Sequence, residues 1–254
     1  MEFIETLKER NAVLLWFGII NLSVAFLLIF FSYFKPIEFA GTNAWYKPIK
    51  FALSTTILSL SIAWYSGYLT KGNDINLMNW VIIITLAFEV IYITWQASKG
   101  QASHYNQSSP FYSFMFSMMA LAATIATIAI GCIGYKFFLD PINDLPNYYL
   151  WAIRFGFILF VIFSFEGFVM GGNMAHTVGA NDGVKGLPFL NWSLSYGDLR
   201  IAHFIGMHAL QVLPLLAWYF LKNIKLTVLA SVIYTLLAIF ILVMALRGNS
   251  IFKF

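Results

Sequence analysis

Residues 148–172 read YYLWAIRFGFILFVIFSFEGFVMGG, and this stretch decides the fold. It is an apolar run broken by only two charged side chains, Arg154 and Glu166. About 20 apolar residues in a helix cross the hydrocarbon core of a bilayer. A charge carried into such a span costs roughly 2.5–3.5 kcal/mol on insertion scales and turns toward protein rather than lipid. The run therefore predicts a transmembrane helix whose Glu166 faces the interior. Working outward, six more runs qualify: 12–34, 44–69, 77–98, 111–138, 199–221 and 225–247. Helix-breaking or capping residues separate them, among them Lys35-Pro36, Gly72-Asn73-Asp74, Pro110, Pro141, Pro146 and Asp198, a good N-cap. The expected fold is all-α: a polytopic membrane protein with seven transmembrane helices in one bundle, a single integral domain over 1–254. No internal repeat is evident in the sequence, and an odd number of spans argues against two equal inverted halves.

Composition agrees. Of 254 residues, 60% are hydrophobic and only 10% charged, with mean hydropathy +0.78. A soluble domain carries about 25% charged residues, so lipid is the expected solvent. The net charge of +4 is scattered, which excludes nucleic acid as a partner. A single cysteine, Cys132, excludes a disulfide framework and a thiolate metal site within one chain. Glu2, Glu5 and Glu9 stand where a cleaved signal peptide would be basic. That segment is expected to be a short interfacial helix with Phe3, Ile4 and Leu7 on one side. Lysines and arginines divide almost evenly between the two faces, so they set no orientation.

The connections differ. Those at 70–76, 139–147 and 222–224 are short, whereas 35–43, 99–110 and 173–198 are longer and chemically richer. The last contains Leu187, Pro188, Phe189, Leu190 and Trp192, which favour burial, and an ordered cap is expected there. Seven spans place all four histidines, His104, His176, His203 and His208, toward the face opposite the N-terminus. At 1.5 Å per residue, Glu89 and His208 come to roughly 14–15 Å below that face.

Helical spacing arranges polar residues in stripes. The second span offers Asn43, Lys47, Lys50, Ser54, Ser61 and Tyr65; the third Thr85, Glu89, Tyr92, Gln96 and Lys99; the sixth Arg200, His203 and Gln211, with His208 at its edge. Asn43, Lys47, Lys50, Tyr92, Gln96, Arg200 and Gln211 are the candidate substrate pocket. A small-residue stripe on the fourth span, Ser113 to Gly131, reads as packing. Each feature also has a structural explanation. Lys50 and Glu166 share a depth that suits an ion pair, Asp182-Gly183 is a turn signal, and Arg154 suits a pairing with Asp140 or Asp144.

The segments Gly41-Thr42-Asn43-Ala44-Trp45-Tyr46-Lys47-Pro48-Ile49-Lys50-Phe51 and Gly197-Asp198-Leu199-Arg200-Ile201-Ala202-His203 resemble those of a family of uncharacterised bacterial polytopic membrane proteins. That resemblance implies the fold and no function. Microbial rhodopsins are similar in length and span count, but 225–247 has only Lys225, at its start, where they hold retinal mid-span.

Histidine ligates metals, binds haem and exchanges protons near neutral pH. The expected function is a membrane-embedded metal- or haem-dependent enzyme or redox protein acting on a lipidic or quinone-like substrate. His104, His176, His203 and His208 are its candidate ligands of a Zn, Fe or Cu ion. His176, His203 and His208 are the candidates for haem, and Glu89, Glu166 and His208 for catalysis. The alternative is a proton-coupled transporter or small-ligand receptor using the same pocket. A passive subunit of a larger complex is a third expectation, disfavoured by the many intramembrane polar residues.

Overall fold

The structure is a computed structural model that describes residues 2–70 and 72–253. It divides into two compact units, Met1–Ile133 and Gly134–Phe254.

The first unit opens with α1 (Glu2–Phe34), which carries an extended residue, Asn11, at φ −158° and ψ 86°. The break splits the helix where the sequence changes from acidic to apolar. Asn11 Oδ1 then accepts from Leu14 N–H at 3.2 Å and caps the longer piece. A two-strand hairpin, β1 (Glu38–Phe39) with β2 (Thr42–Asn43), leads to α2 (Tyr46–Ser66). Asn43 Oδ1 receives Trp45 N–H at 3.1 Å while its amide donates to Ser32 O. Then come α3 (Asn73–Ser98) and α4 (Pro110–Leu139). α1 and α2 approach closely at Gly18, whose carbonyl accepts from Thr56 Oγ1 at 3.1 Å. Small residues permit such contact where lipid supplies no hydrophobic drive. Arg10 donates to Trp64 O at 2.8 Å and lies 3.9 Å over the Trp64 ring, covering the end of α2.

The second unit runs α5 (Asn147–Phe165), α6 (Gly167–Asn173), β3 (Thr177–Val178), β4 (Gly197–Asp198), α7 (Leu199–Leu216), a π-helical turn (Ala217–Leu221) and α8 (Ile224–Leu246). β3 and β4 pair antiparallel. Its core is built on small residues, Ala152, Ala202, Ala209, Ala217 and Ala238, with Phe163 packed among them. Gly156 lets the α7 backbone at Leu210 come close, and Gly206 admits the Phe163 ring.

Each unit contains a helix, a two-strand pair and a following helix, α1–β1–β2–α2 in the first and α6–β3–β4–α7 in the second. In each, the following helix begins with cations three residues apart followed by Phe, Lys47/Lys50/Phe51 and Arg200/His203/Phe204. No sequence period announced this, because only the cation segment is alike.

Several expectations change. Among the described residues six helices, not seven, are long and apolar enough to cross a membrane. The run 44–69 does form α2, but its lysines, serines and threonines dilute its apolarity. Of its predicted polar stripe Ser54 is exposed, Lys47, Lys50 and Ser61 are half-buried and Tyr65 is buried, and Thr55, Thr56, Ser59 and Ser66 are buried as well. The α4 face that packs is Met119, Ala122, Ala126, Ile130, Ile133 and Phe137. Of the predicted stripe Ser117 is exposed and Thr127 is buried. Arg154 donates to Phe137 O at 2.9 Å rather than to Asp140 or Asp144. Asp140 lies near Lys136 instead, one helical turn away.

Candidate functional site

The run 148–172 is not one helix. It breaks at Glu166, which ends α5 and begins α6. Glu166 is only 6% exposed. Its Oε2 lies 3.2 Å from His203 Nδ1, one helical turn into α7. The two atoms are at ion-pair distance but not aligned, and neither carboxylate oxygen makes a hydrogen bond. Ser164 Oγ beside the break is buried and unpartnered as well. A buried carboxyl without hydrogen bonds is costly when ionised. A proton on Glu166, or on His203 with the carboxylate paired to it, relieves that cost. Glu166 therefore meets His203.

Above α7 the 174–198 segment is an ordered cap, as expected. Asp198, fully buried at its side chain, accepts from Arg200 N at 3.1 Å, Arg200 Nε at 2.8 Å and Ser193 N at 2.8 Å. Arg200 also donates to Asn191 O. Asp198 is thus the predicted helix cap, and Arg200 is a clamp for the cap rather than a ligand-facing cation. Replacing Asp198 with Ala strands these donors, and we expect a loss of about 3 kcal/mol in detergent-solubilised unfolding.

Asp182 does more than turn the chain. Its Oδ1 accepts from His176 N, Thr177 N and Thr177 Oγ1, and its Oδ2 meets His176 Nδ1 at 2.5 Å. Burial pushes this carboxyl up, but the His176 hydrogen bonds and charge, with Arg200 farther off, outweigh it and bring it down to about 2. A carboxyl lowered in the folded state stabilises above its unfolded value, near 3.8. The stability gap between wild type and Asp182→Asn should be full at pH 6 and close as pH falls from about 4 to 2, measured by unfolding midpoints.

In the first unit, Glu89, Tyr92 and Gln96 lie on the buried face of α3, and Tyr92 OH and Gln96 Oε1 have no hydrogen-bond partner. His104 faces Lys47: Nζ to Nδ1 is 3.1 Å, with Ser103 Oγ 3.0 Å from the same nitrogen. An ammonium only donates, so His104 Nδ1 accepts and the ring proton sits on Nε2. At His176 the carboxylate fixes the opposite tautomer, with the proton on Nδ1. His208, on the half-buried flank of α7, pairs with Gln211 Oε1 at 3.1 Å and packs on Phe204. Asn43 Oδ1 accepts from Trp45 N–H ahead of α2, and Lys50 is half-buried on α2.

The four histidines thus have four different partners. Among the described residues no three of His, Cys, Asp or Glu are grouped to hold a metal ion. Sequence reasoning missed Ser103 and Ser164, which nothing but their neighbours His104 and Glu166 could have signalled. Comparison with protein-family models, curated proteins and solved structures finds no match.

Proposed function

We propose that this chain is a multi-pass cell-membrane protein, of the inner membrane if bacterial, that works as a proton-coupled transporter of a small solute. The observation that carries this is Glu166: a buried carboxyl without hydrogen bonds, at a break inside a membrane-length helix, facing an imidazole. Broken helices are where transporters place coupling-ion sites. One proton shared between Glu166 and His203 changes the charge of the break as it comes and goes. On this reading α2 is a seventh span, its 21 residues reaching about 31 Å, and the likeness to bacterial polytopic proteins concerns fold alone.

The test is proton movement. Proteoliposomes loaded with a pH dye are challenged with pools of small anionic, cationic, zwitterionic and neutral solutes. One pool should drive proton entry. No proton movement with any pool would remove the reading.

A second reading, a membrane enzyme or redox protein with a lipidic or quinone-like substrate, is favoured by His176–Asp182. A carboxylate that orients an imidazole stands behind both metal-ligand and general-base histidines. An absorption spectrum with metal analysis of the purified protein tests it.

A further inference from the structure

The 99–109 segment is folded back on α3 by named bonds. Gln101 N–H donates to Gln96 O at 3.0 Å, and Gln96 Nε2 donates to Ala102 O at 2.9 Å. Asn106 Nδ2 also reaches Ala102 O. Gly100 and Tyr105 take left-handed conformations, φ 63° and 58°, that turn the chain over the helix end. Beneath lies Gln96, with no exposed surface, its Oε1 unpartnered. The segment is therefore a cover over a polar group that lacks a partner.

The Lys47–His104 contact joins the cover to α2. Its physics is one-sided. A neutral imidazole accepts from the ammonium. A protonated imidazole has no acceptor left, and two like charges then stand 3.1 Å apart and repel. The groups that face His104 are Lys47 and Phe51 from α2, Ser103 and Tyr105 from the segment itself, and Phe116 from α4. Glu89 on α3 acts on Lys47 from farther off.

We propose that residues 99–109 are an acid-released lid over the polar face of α3, held shut by the hydrogen bond from Lys47 to neutral His104. Protonation of His104 turns the latch into a repulsive pair, frees the lid and opens Gln96 and Tyr92 to a solute able to hydrogen-bond. The lid does not depend on Glu166 carrying protons, and its test reads lid motion rather than transport.

A nitroxide is attached to Gln101→Cys in a Cys132→Ser background, in lipid nanodiscs. Between pH 8 and 5.5 the mobile spectral fraction should rise at least threefold. His104→Gln, whose amide oxygen accepts from Lys47 at any pH, should stay immobile throughout. Lys47→Met should be mobile at both pH values. A flat profile without these substitutions, or opening of His104→Gln at low pH, would overturn the proposal. Imidazole nitrogen NMR gives a second readout, independent of the variants. His104 protonated at Nε2 at pH 8 supports the latch, and a proton on Nδ1 contradicts it.

Discussion

Glu166→Gln should abolish solute-driven proton movement, by at least a hundredfold, while leaving the fold intact. The replacement is isosteric and carries no titratable proton. It also removes the cost of a buried charge, so thermal stability should hold or rise slightly. His203→Gln tests the other half of the pair. Glu166 then loses the imidazole that stabilises its ionised form, and proton release should slow about tenfold with binding less affected. The measurement is dye-reported flux in proteoliposomes beside melting curves of the same preparations. Flux retained in Glu166→Gln would refute proton carriage by this residue. Solute uptake retained without proton movement would locate the coupling elsewhere.

Gly197→Ala should be the most damaging small substitution in the second unit. An added Cβ would stand 2.1 Å from the Ala245 carbonyl oxygen and 2.8 Å from its carbon. The obstacle is main chain at the end of α8, so no rotamer change relieves it. β4 must move, and with it Asp198, Arg200 and the start of α7. Overpacking of a well-filled site costs typically 1–3 kcal/mol, and the coupled loss of the Asp198 network raises the expectation above about 3 kcal/mol. Unfolding in detergent measures it. Gly171→Ala is the control, because nothing lies within 4 Å of a Cβ there. A Gly197→Ala protein as stable as that control would mean the strand sits farther from α8.

Much of the fold was legible because long apolar runs leave few choices. In hydrocarbon, backbone polar groups must be satisfied internally, so long apolar runs become helices. The boundary signal worked where the chemistry is local, as at Asp198. The count of spans was less secure. The α2 segment owes its polar residues to packing against α1, and hydropathy alone cannot distinguish such a helix from a surface one. The candidate pocket was half legible. The α3 stripe Glu89, Tyr92 and Gln96 is buried as helical phase implied. Of the α2 stripe, Tyr65 is buried, Asn43, Lys47, Lys50 and Ser61 are half-buried and Ser54 is exposed.

The sequence by itself determined that the chain is helical, that lipid is its expected solvent, and which few polar residues lie within apolar runs. These follow from transfer energies and period, which depend on each segment alone. Only the tertiary structure decided the partners: His203 with Glu166, His176 with Asp182, His104 with Lys47. Partnership depends on where a helix breaks and how loops fold back, and the break at Glu166 lies inside a run whose apolar pattern is continuous. For each of the four histidines it was geometry that gave the partner: Lys47 for His104, Asp182 for His176, Glu166 for His203 and Gln211 for His208.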